Sequence, residues 1–240
     1  MAGLHIRGLS KSFRVFERSS QRLWARLSGS AAAGKSIQAL QEIDIDVAPG
    51  RTLGIVGRNG SGKSTLLRIL AGAMRQDRGT IESPPGLASL LELGGSFSRE
   101  QSGRRNVQLA WTLRGMAASE RARRLEELKE FSGLGEHLDL PVKYYSGGQF
   151  LRLAFSEAVL WEPDIVVLDE ILAVGDAGFQ ARCLERIETL KARGSILVMA
   201  THELGNLRNR CEQALWLDAG RVRLAGGGGE VAQAYAASFR

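Results

Sequence analysis

Cysteine is scarce. The chain has two in 240 residues, Cys183 and Cys211, at no spacing that suits a metal. That argues against a disulfide framework or a thiolate metal centre and fits two structural thiols in a reducing compartment. Long apolar runs are missing too. None approaches the ~18 residues a membrane span needs, so any membrane role requires a separate membrane-embedded chain. The opening MAGLHIRGLSKSF has no apolar h-region, and no signal peptide is expected from it. No self-similarity at solenoid periods is visible. What is there is an ordinary globular composition, 44% hydrophobic and 24% charged, in a length that suits one large domain or two small ones.

The net charge of +6 is unevenly spread. Residues 7–35 carry Arg7, Lys11, Arg14, Arg18, Arg22, Arg26 and Lys35 against a single Glu17, and residues 99–129 are basic with acids interspersed. Such a surface suits nucleotide, nucleic acid or anionic lipid, or is simply a solvated face. Glycine is abundant, at 29 residues. The run Gly226–Gly229 reads as a loose turn, and the others suit tight backbone sites.

Periodicity organises the rest. Residues 4–13 read as a strand and turn. Glu17–Leu27 suits a short helix with Leu23, Trp24 and Leu27 on one side, and SGSAAAGKS after it suits a linker. Residues 40–47 alternate as a half-buried strand, 51–56 form a buried strand, and a helix begins near Lys63 with Leu66, Leu67, Ile69 and Leu70 as its core face. Helical spacing dominates 103–160. It gives candidate helices at 103–116 and 119–131, the second with Ser119 as N-cap, and a third after KYYSGGQ. Strands are then expected at 164–168, 196–200 and 214–218, alternating with helices at 177–192 and 203–210. The pattern is α/β with a largely parallel sheet and an inserted helical block.

Three motifs carry chemistry. GRNGSGKST, residues 57–65, fits G-x-x-x-x-G-K-[ST] between a buried strand and a helix, the context that pattern requires. Gly57, Asn59, Gly60, Ser61 and Gly62 let backbone N–H groups wrap phosphates. Lys63 reaches the β- and γ-phosphates, Ser64 suits Mg²⁺, and Thr65 follows in the first turn of the helix, whose N-terminal dipole end adds positive potential. DIVVLDE, residues 164–170, is a buried strand ending in two acids. Asp169 suits a Mg²⁺-linked carboxylate, directly or through water, and Glu170 a general base that polarises water beyond the γ-phosphate. KYYSGGQFLRL, residues 143–153, is a second glycine-led helix start. It is either a plain helix entry or a second anion site. One nucleotide is hard to cradle between two helix starts of one compact chain, and a partner copy removes that difficulty.

GRNGSGKST, YSGGQ, VVLDE, ILAVGD and THE, in that order and over essentially the whole chain, resemble the ATPase subunit of an ABC transporter. The resemblance implies a P-loop NTPase core with a mostly parallel sheet, an antiparallel β subdomain and an inserted helical subdomain. Within one domain spanning 1–240, it places the nucleotide-binding core at 1–95 and 161–240, the helical signature subdomain at 96–160 and a basic insertion at 14–38. It implies ATP as substrate, Mg²⁺, and a head-to-tail homodimer. Ser146, Gly147, Gly148 and Gln149 match the signature that binds ATP in trans, with Tyr145 where many members have Leu. Asp176 matches the acid of the loop crossing the dimer interface. His202 matches the histidine at the γ-phosphate. Phe13 stands where an aromatic stacks on adenine; a core phenylalanine is the other reading.

One departure stands out. A glutamine contacting Mg²⁺ and the attacking water usually lies between the phosphate loop and the helical block. Here Leu93 falls near its place, beside Glu92, with Gln101 too late, and no residue is assigned to that role. LLELGGSF followed by SGRRNV, the insertion after KSF, AVGDAGFQ and GEVAQAYAA are similar to the members that export O-antigen, capsule and teichoic acid. That similarity implies a bacterial exporter motor, peripheral on the cytoplasmic face of the inner membrane, working with a permease that handles most of a lipid-linked glycan. No nucleic-acid partner is expected. No C-terminal carbohydrate-binding domain is expected in a chain running to Arg240. An ABC ATPase for another substrate class, or a soluble non-transport one, is the alternative. A degenerate, non-hydrolysing cassette is disfavoured by the presence of Lys63, Gly147, Gly148, Asp169, Glu170 and His202.

Overall fold

The computed structural model describes residues 2–15, 35–91, 93–169 and 176–239. Its larger sheet contains β3 (Thr52–Val56), β5 (Leu87–Ser89), β6 (Ile165–Asp169), β7 (Ile196–Ala200), β8 (Gln213–Asp218) and β9 (Arg221–Gly226), in the spatial order β5-β6-β7-β3-β8-β9. All neighbouring pairs are parallel except β8–β9. A smaller antiparallel sheet has β1 (Leu4–Val15) at its centre, between β2 (Lys35–Val47) and β4 (Arg78–Glu82).

The central strands read as unbroken apolar runs because helices or the second sheet cover both their faces. Alternate residues therefore enter different cores. Ile165, Val167, Ile196 and Val198 face the antiparallel sheet and helix α1 (Lys63–Leu70). Val166, Leu168, Leu197 and Met199 face the opposite core, built with α4 (Gly147–Leu160), α5 (Ala177–Ala192), α6 (Leu204–Arg210) and α7 (Gly228–Ala237). The helical block also contains α2 (Gly103–Leu113) and α3 (Ala118–Ser132). Val107 and Trp111 of α2 are buried at i,i+4 spacing, and Trp111 Nε1 donates to the Glu157 carbonyl at 3.1 Å. Among the described residues no helix is long and apolar enough to cross a membrane. Both cysteines are buried and free, and burial pushes each thiol up to about 12.

Several expectations need correction. Ser119 is not an N-cap: α3 starts a residue earlier, capped by Ala117 without a side-chain bond. Gly115 at φ 81° completes the reversal early, and the Met116 N–H closes back on the Trp111 carbonyl. Gly226–Gly229 is no loose turn. Gly226 ends β9, Gly227 caps α7, and Gly228 is buried where an added Cβ would strike the Leu207 and Cys211 carbonyls. Val231, Ala232 and Tyr235 then bury the helix face. The ends of the span 14–38, expected as a basic insertion, belong to the smaller sheet, because Arg14 pairs with Ser36 and Val15 with Lys35 as the β1–β2 ladder continues. The helix expected at Glu17–Leu27, and the linker up to residue 34, lie outside the described residues.

Candidate functional site

The register of the parallel sheet assembles the site. Asp169 pairs with Ala200, and Ala200 pairs with Ile55, so three adjacent strands end level. Their C-terminal ends are thereby brought to one edge: the 57–65 loop after β3, Asp169 at the end of β6, and Thr201-His202 after β7. The carboxyl ends of parallel strands are where ligands of open α/β sheets bind. Asn59, Gly60, Gly62, Lys63, Ser64, Thr65, Asp169 and His202 line one cleft of about 620 Å³, walled opposite by Ile37, Gln38 and Ala39 of β2.

The loop's shape depends on its glycines. Gly62 sits at φ 109°, and an added Cβ would come within 2.6 Å of the Ala39 carbonyl. The Ser61 N–H donates to the Arg58 carbonyl at 3.1 Å, and the Ser61 carbonyl accepts from Gly220 N–H at 3.0 Å. This moors the loop to the β8–β9 turn. Lys63 is 8% exposed, and its ammonium donates to the carbonyls of Gly57 at 2.7 Å and Arg58 at 3.2 Å. Ser61 is buried, and its hydroxyl has no hydrogen-bond partner among the described residues. Thr201 Oγ1 accepts the Glu203 N–H at 3.0 Å and fixes the turn that presents His202.

Most of the expected nucleotide residues therefore meet. Gly57 lies at the loop's base and Ser61 beneath it. Glu170 lies outside the described residues. Phe13 is 37% exposed, so it is not a core residue. It pairs directly with Ile37 of the cleft wall, and Lys11 Nζ lies 5.8 Å from its ring centroid. Directly opposed residues of an antiparallel pair share a face, which puts Phe13 next to the cleft's edge. The part played by Ile37–Ala39 was missed, because SGSAAAGKS, residues 28–36, reads as linker, the strand alternation is legible only from residue 40, and 37–39 fall between the two.

The second glycine-led start does not line this cleft. Ser146 caps α4 in a capping box: its Oγ accepts the Gln149 N–H at 3.2 Å, and Gln149 Oε1 accepts the Ser146 N–H at 2.9 Å. Gly147 and Gly148 are exposed, and an added Cβ at either glycine would meet nothing within 4 Å. The preceding Tyr145 has a structural reason to replace Leu. Its hydroxyl donates to the His137 carbonyl at 2.6 Å, and burial pushes it up to about 12.

Asp176 lies in neither group. It is the N-cap of α5, accepting the Phe179 N–H at 3.0 Å, and it pairs with Arg152. The Phe179 amide, and then the Arg152 charge, hold its carboxyl below the ordinary carboxylate value. Leu93 packs against the larger core rather than lining the cleft, and the side chain of Glu92 lies outside the described residues. Nearby, Gly94 at φ 68° sits under the Phe150 ring, and Phe97 meets the same ring edge-on at 6.1 Å. The segment where a glutamine was sought is thus tied to α4.

Comparison with known proteins gives relatives along nearly the whole chain. ABC transporter protein AbcA of Aeromonas salmonicida is 40% identical over 93% of this chain and 72% of its own length. O-antigen export system ATP-binding protein RfbB of Klebsiella pneumoniae is 38% identical over 84% of this chain and 82% of its own. Teichoic acids export ATP-binding protein TagH of Listeria monocytogenes is 32% identical over 95% of this chain and 68% of its own. The solved structure of an ATP binding subunit of an ABC transporter superposes with a TM-score of 0.78 at 23% identity, covering 98% of this chain and 94% of that one. The ABC transporter family model matches residues 40–173, and on that match and these identities the chain belongs to the ABC transporter family.

Proposed function

We propose that this chain is the ATP-hydrolysing motor of a bacterial exporter that moves a polysaccharide or lipid-linked glycan across the cytoplasmic membrane. The observation that carries the ATP reading is the shared cleft: Asn59, Gly60, Gly62–Thr65, Asp169 and His202 meet at the ends of β3, β6 and β7. The glycan reading rests on relatives whose names state O-antigen and teichoic-acid export.

Each role rests on the chemistry of its group. Backbone N–H groups of 57–62 and the α1 start take the phosphates, with Phe13 at the adenine. Lys63 neutralises the β- and γ-phosphates. Ser64 and Asp169 of the cleft would hold Mg²⁺ through hydroxyl and carboxylate oxygens, the hard donors that ion takes. Among the described residues, no group of three or more His, Cys, Asp or Glu could hold an ion by itself. When bound, Mg²⁺ offsets charge on the transferring phosphoryl group. Glu170 accepts a proton from the water whose oxygen bonds to the γ-phosphorus, the bond from that phosphorus to the β–γ bridging oxygen breaks, ADP and phosphate leave, and His202 donates to the γ-phosphate.

The exposed start Ser146–Gln149 completes the site of a second copy, so two ATP molecules lie between two chains, with Asp176 at the interface. The difference in γ-phosphate affinity between open and closed forms drives closure. A separate permease carries the glycan, and the motor sits against it on the cytoplasmic face. The chain works as one cassette, with its core at 1–95 and 161–240, a helical subdomain at 96–160 and the basic insertion. The test has two arms in the source bacterium: affinity purification of the chain to identify the membrane protein that co-purifies, and deletion of the chain to follow the glycan. Expected are a co-purifying permease and a glycan accumulating inside the cell. Normal surface glycan after deletion contradicts the export reading.

A further inference from the structure

Two of the elements that face a second copy in this reading are joined directly within one chain. Arg152 lies six residues beyond Ser146 on α4, about 9 Å along the axis. Its guanidinium donates to the Asp176 carboxylate and, at 3.4 Å, to the Ser132 carbonyl that ends α3. It also lies over the Phe179 ring, 5.2 Å from the centroid. Phe179 is fully buried and packs with Phe131 and Phe155, so this end of the link is anchored in the core. Its amide is also the donor that Asp176 caps. One arginine thus touches α3, α5 and the α5 cap while riding on the glycine-led helix.

Resting on the dimer reading above, we infer that Arg152 is a positioning residue that locks Asp176 to the Ser146–Gln149 helix start, so that both interface elements approach the second copy as one unit. Arginine suits the task. Its planar fork serves two acceptors at once and its face stacks on an aromatic ring, whereas lysine offers a single point charge. Among the described residues, neither Arg152 nor Asp176 lines the phosphate cleft of the same chain. Loss of Arg152 is therefore felt in closure and turnover, not in ATP binding by one copy.

The test compares Arg152→Met, Arg152→Lys, Asp176→Asn and the Arg152→Met/Asp176→Asn pair in the full chain, with ATP as probe. Asp176→Asn is the cleaner break, because Asn remains a good N-cap while losing the charge. Expected are single-copy ATP affinity within about twofold of wild type, a kcat loss on the order of tenfold to a hundredfold, and a smaller loss for Arg152→Lys. The pair should be no worse than its worse member, the mark of one shared interaction. Wild-type kcat in Asp176→Asn, or ATP affinity falling in step with kcat, overturns the inference. If Arg152→Met fails to fold, Asp176→Asn and Arg152→Lys decide alone. A wild-type chain without ATP turnover instead overturns the motor reading beneath it.

Discussion

Gly148→Asp separates a binding role from a folding role, because the two pull its stability and its activity in opposite directions. Gly148 is the second residue of α4, it is not among the positive-φ glycines, and an added Cβ meets nothing within 4 Å. The substitution therefore carries no steric cost within the chain. Asp exceeds Gly in helix propensity by about 0.3–0.5 kcal/mol. A carboxylate in the first turn adds about 0.3–1 kcal/mol through the helix dipole. Together these give about 1 kcal/mol of added stability, or a Tm roughly 2–4 °C higher for a chain of this size. Across a closed interface the same carboxylate faces a γ-phosphate. At about 4 Å and an effective dielectric near 20, one pair of like charges costs about 4 kcal/mol, near a thousandfold in closure. The assay has three parts: thermal unfolding, titration of dilute protein with an ATP analogue, and steady-state ATPase. Expected are a raised Tm, unchanged analogue binding and ATPase lost. ATPase within tenfold of wild type refutes the trans contact. A Tm several degrees lower, with analogue binding lost, refutes the reading of an unconstrained, solvent-facing glycine.

Asp77 accepts from Lys11 Nζ and from the Ser12 amide and hydroxyl, and these bonds, Lys11 first, pull it down to about 2. Its contribution is full above the unfolded carboxylate range and is lost as pH falls through about 2. Asp77→Asn should thus flatten the loss of thermal stability between about pH 4 and 2 relative to wild type, and an unchanged slope contradicts this. Cys183 and Cys211, buried and pushed up to about 12, should resist maleimide at neutral pH in the native chain and react on unfolding. Rapid native labelling contradicts their placement. Removing residues 17–34, within the span between the paired ends of β1 and β2, should leave ATP binding within about twofold and weaken stimulation by the permease, and loss of nucleotide binding by the truncated chain counts against this.

The phosphate loop was legible in the sequence because its chemistry is local. Glycines, a lysine and a hydroxyl at fixed spacing between strand and helix have one physical purpose. The central strands were legible too, since burial on both faces leaves runs such as DIVVL. Strands β4 and β5 were not. Arg78–Glu82 is mostly exposed, and Leu87–Ser89 is three residues long, so neither carries a pattern. Helix α7 was hidden behind four glycines, of which Gly228 serves close approach to α6. The roles of Ile37–Ala39 and Arg152 depend on contacts far along the chain, Arg152 to Asp176 above all, and no local spacing encodes these. The missing glutamine remained a gap in the structure as well: Leu93, nearest its place, packs inward.

The central claim is that the glycine-led start of one copy completes the ATP site of another. Its most direct test is the mass of Glu170→Gln in solution, by light scattering or sedimentation, with saturating ATP and Mg²⁺ and then with ADP. A dimer is expected with ATP, a monomer with ADP, and no dimer when Gly148→Asp is added. A chain that binds ATP yet stays monomeric, or one that dimerises equally with ADP, contradicts the claim.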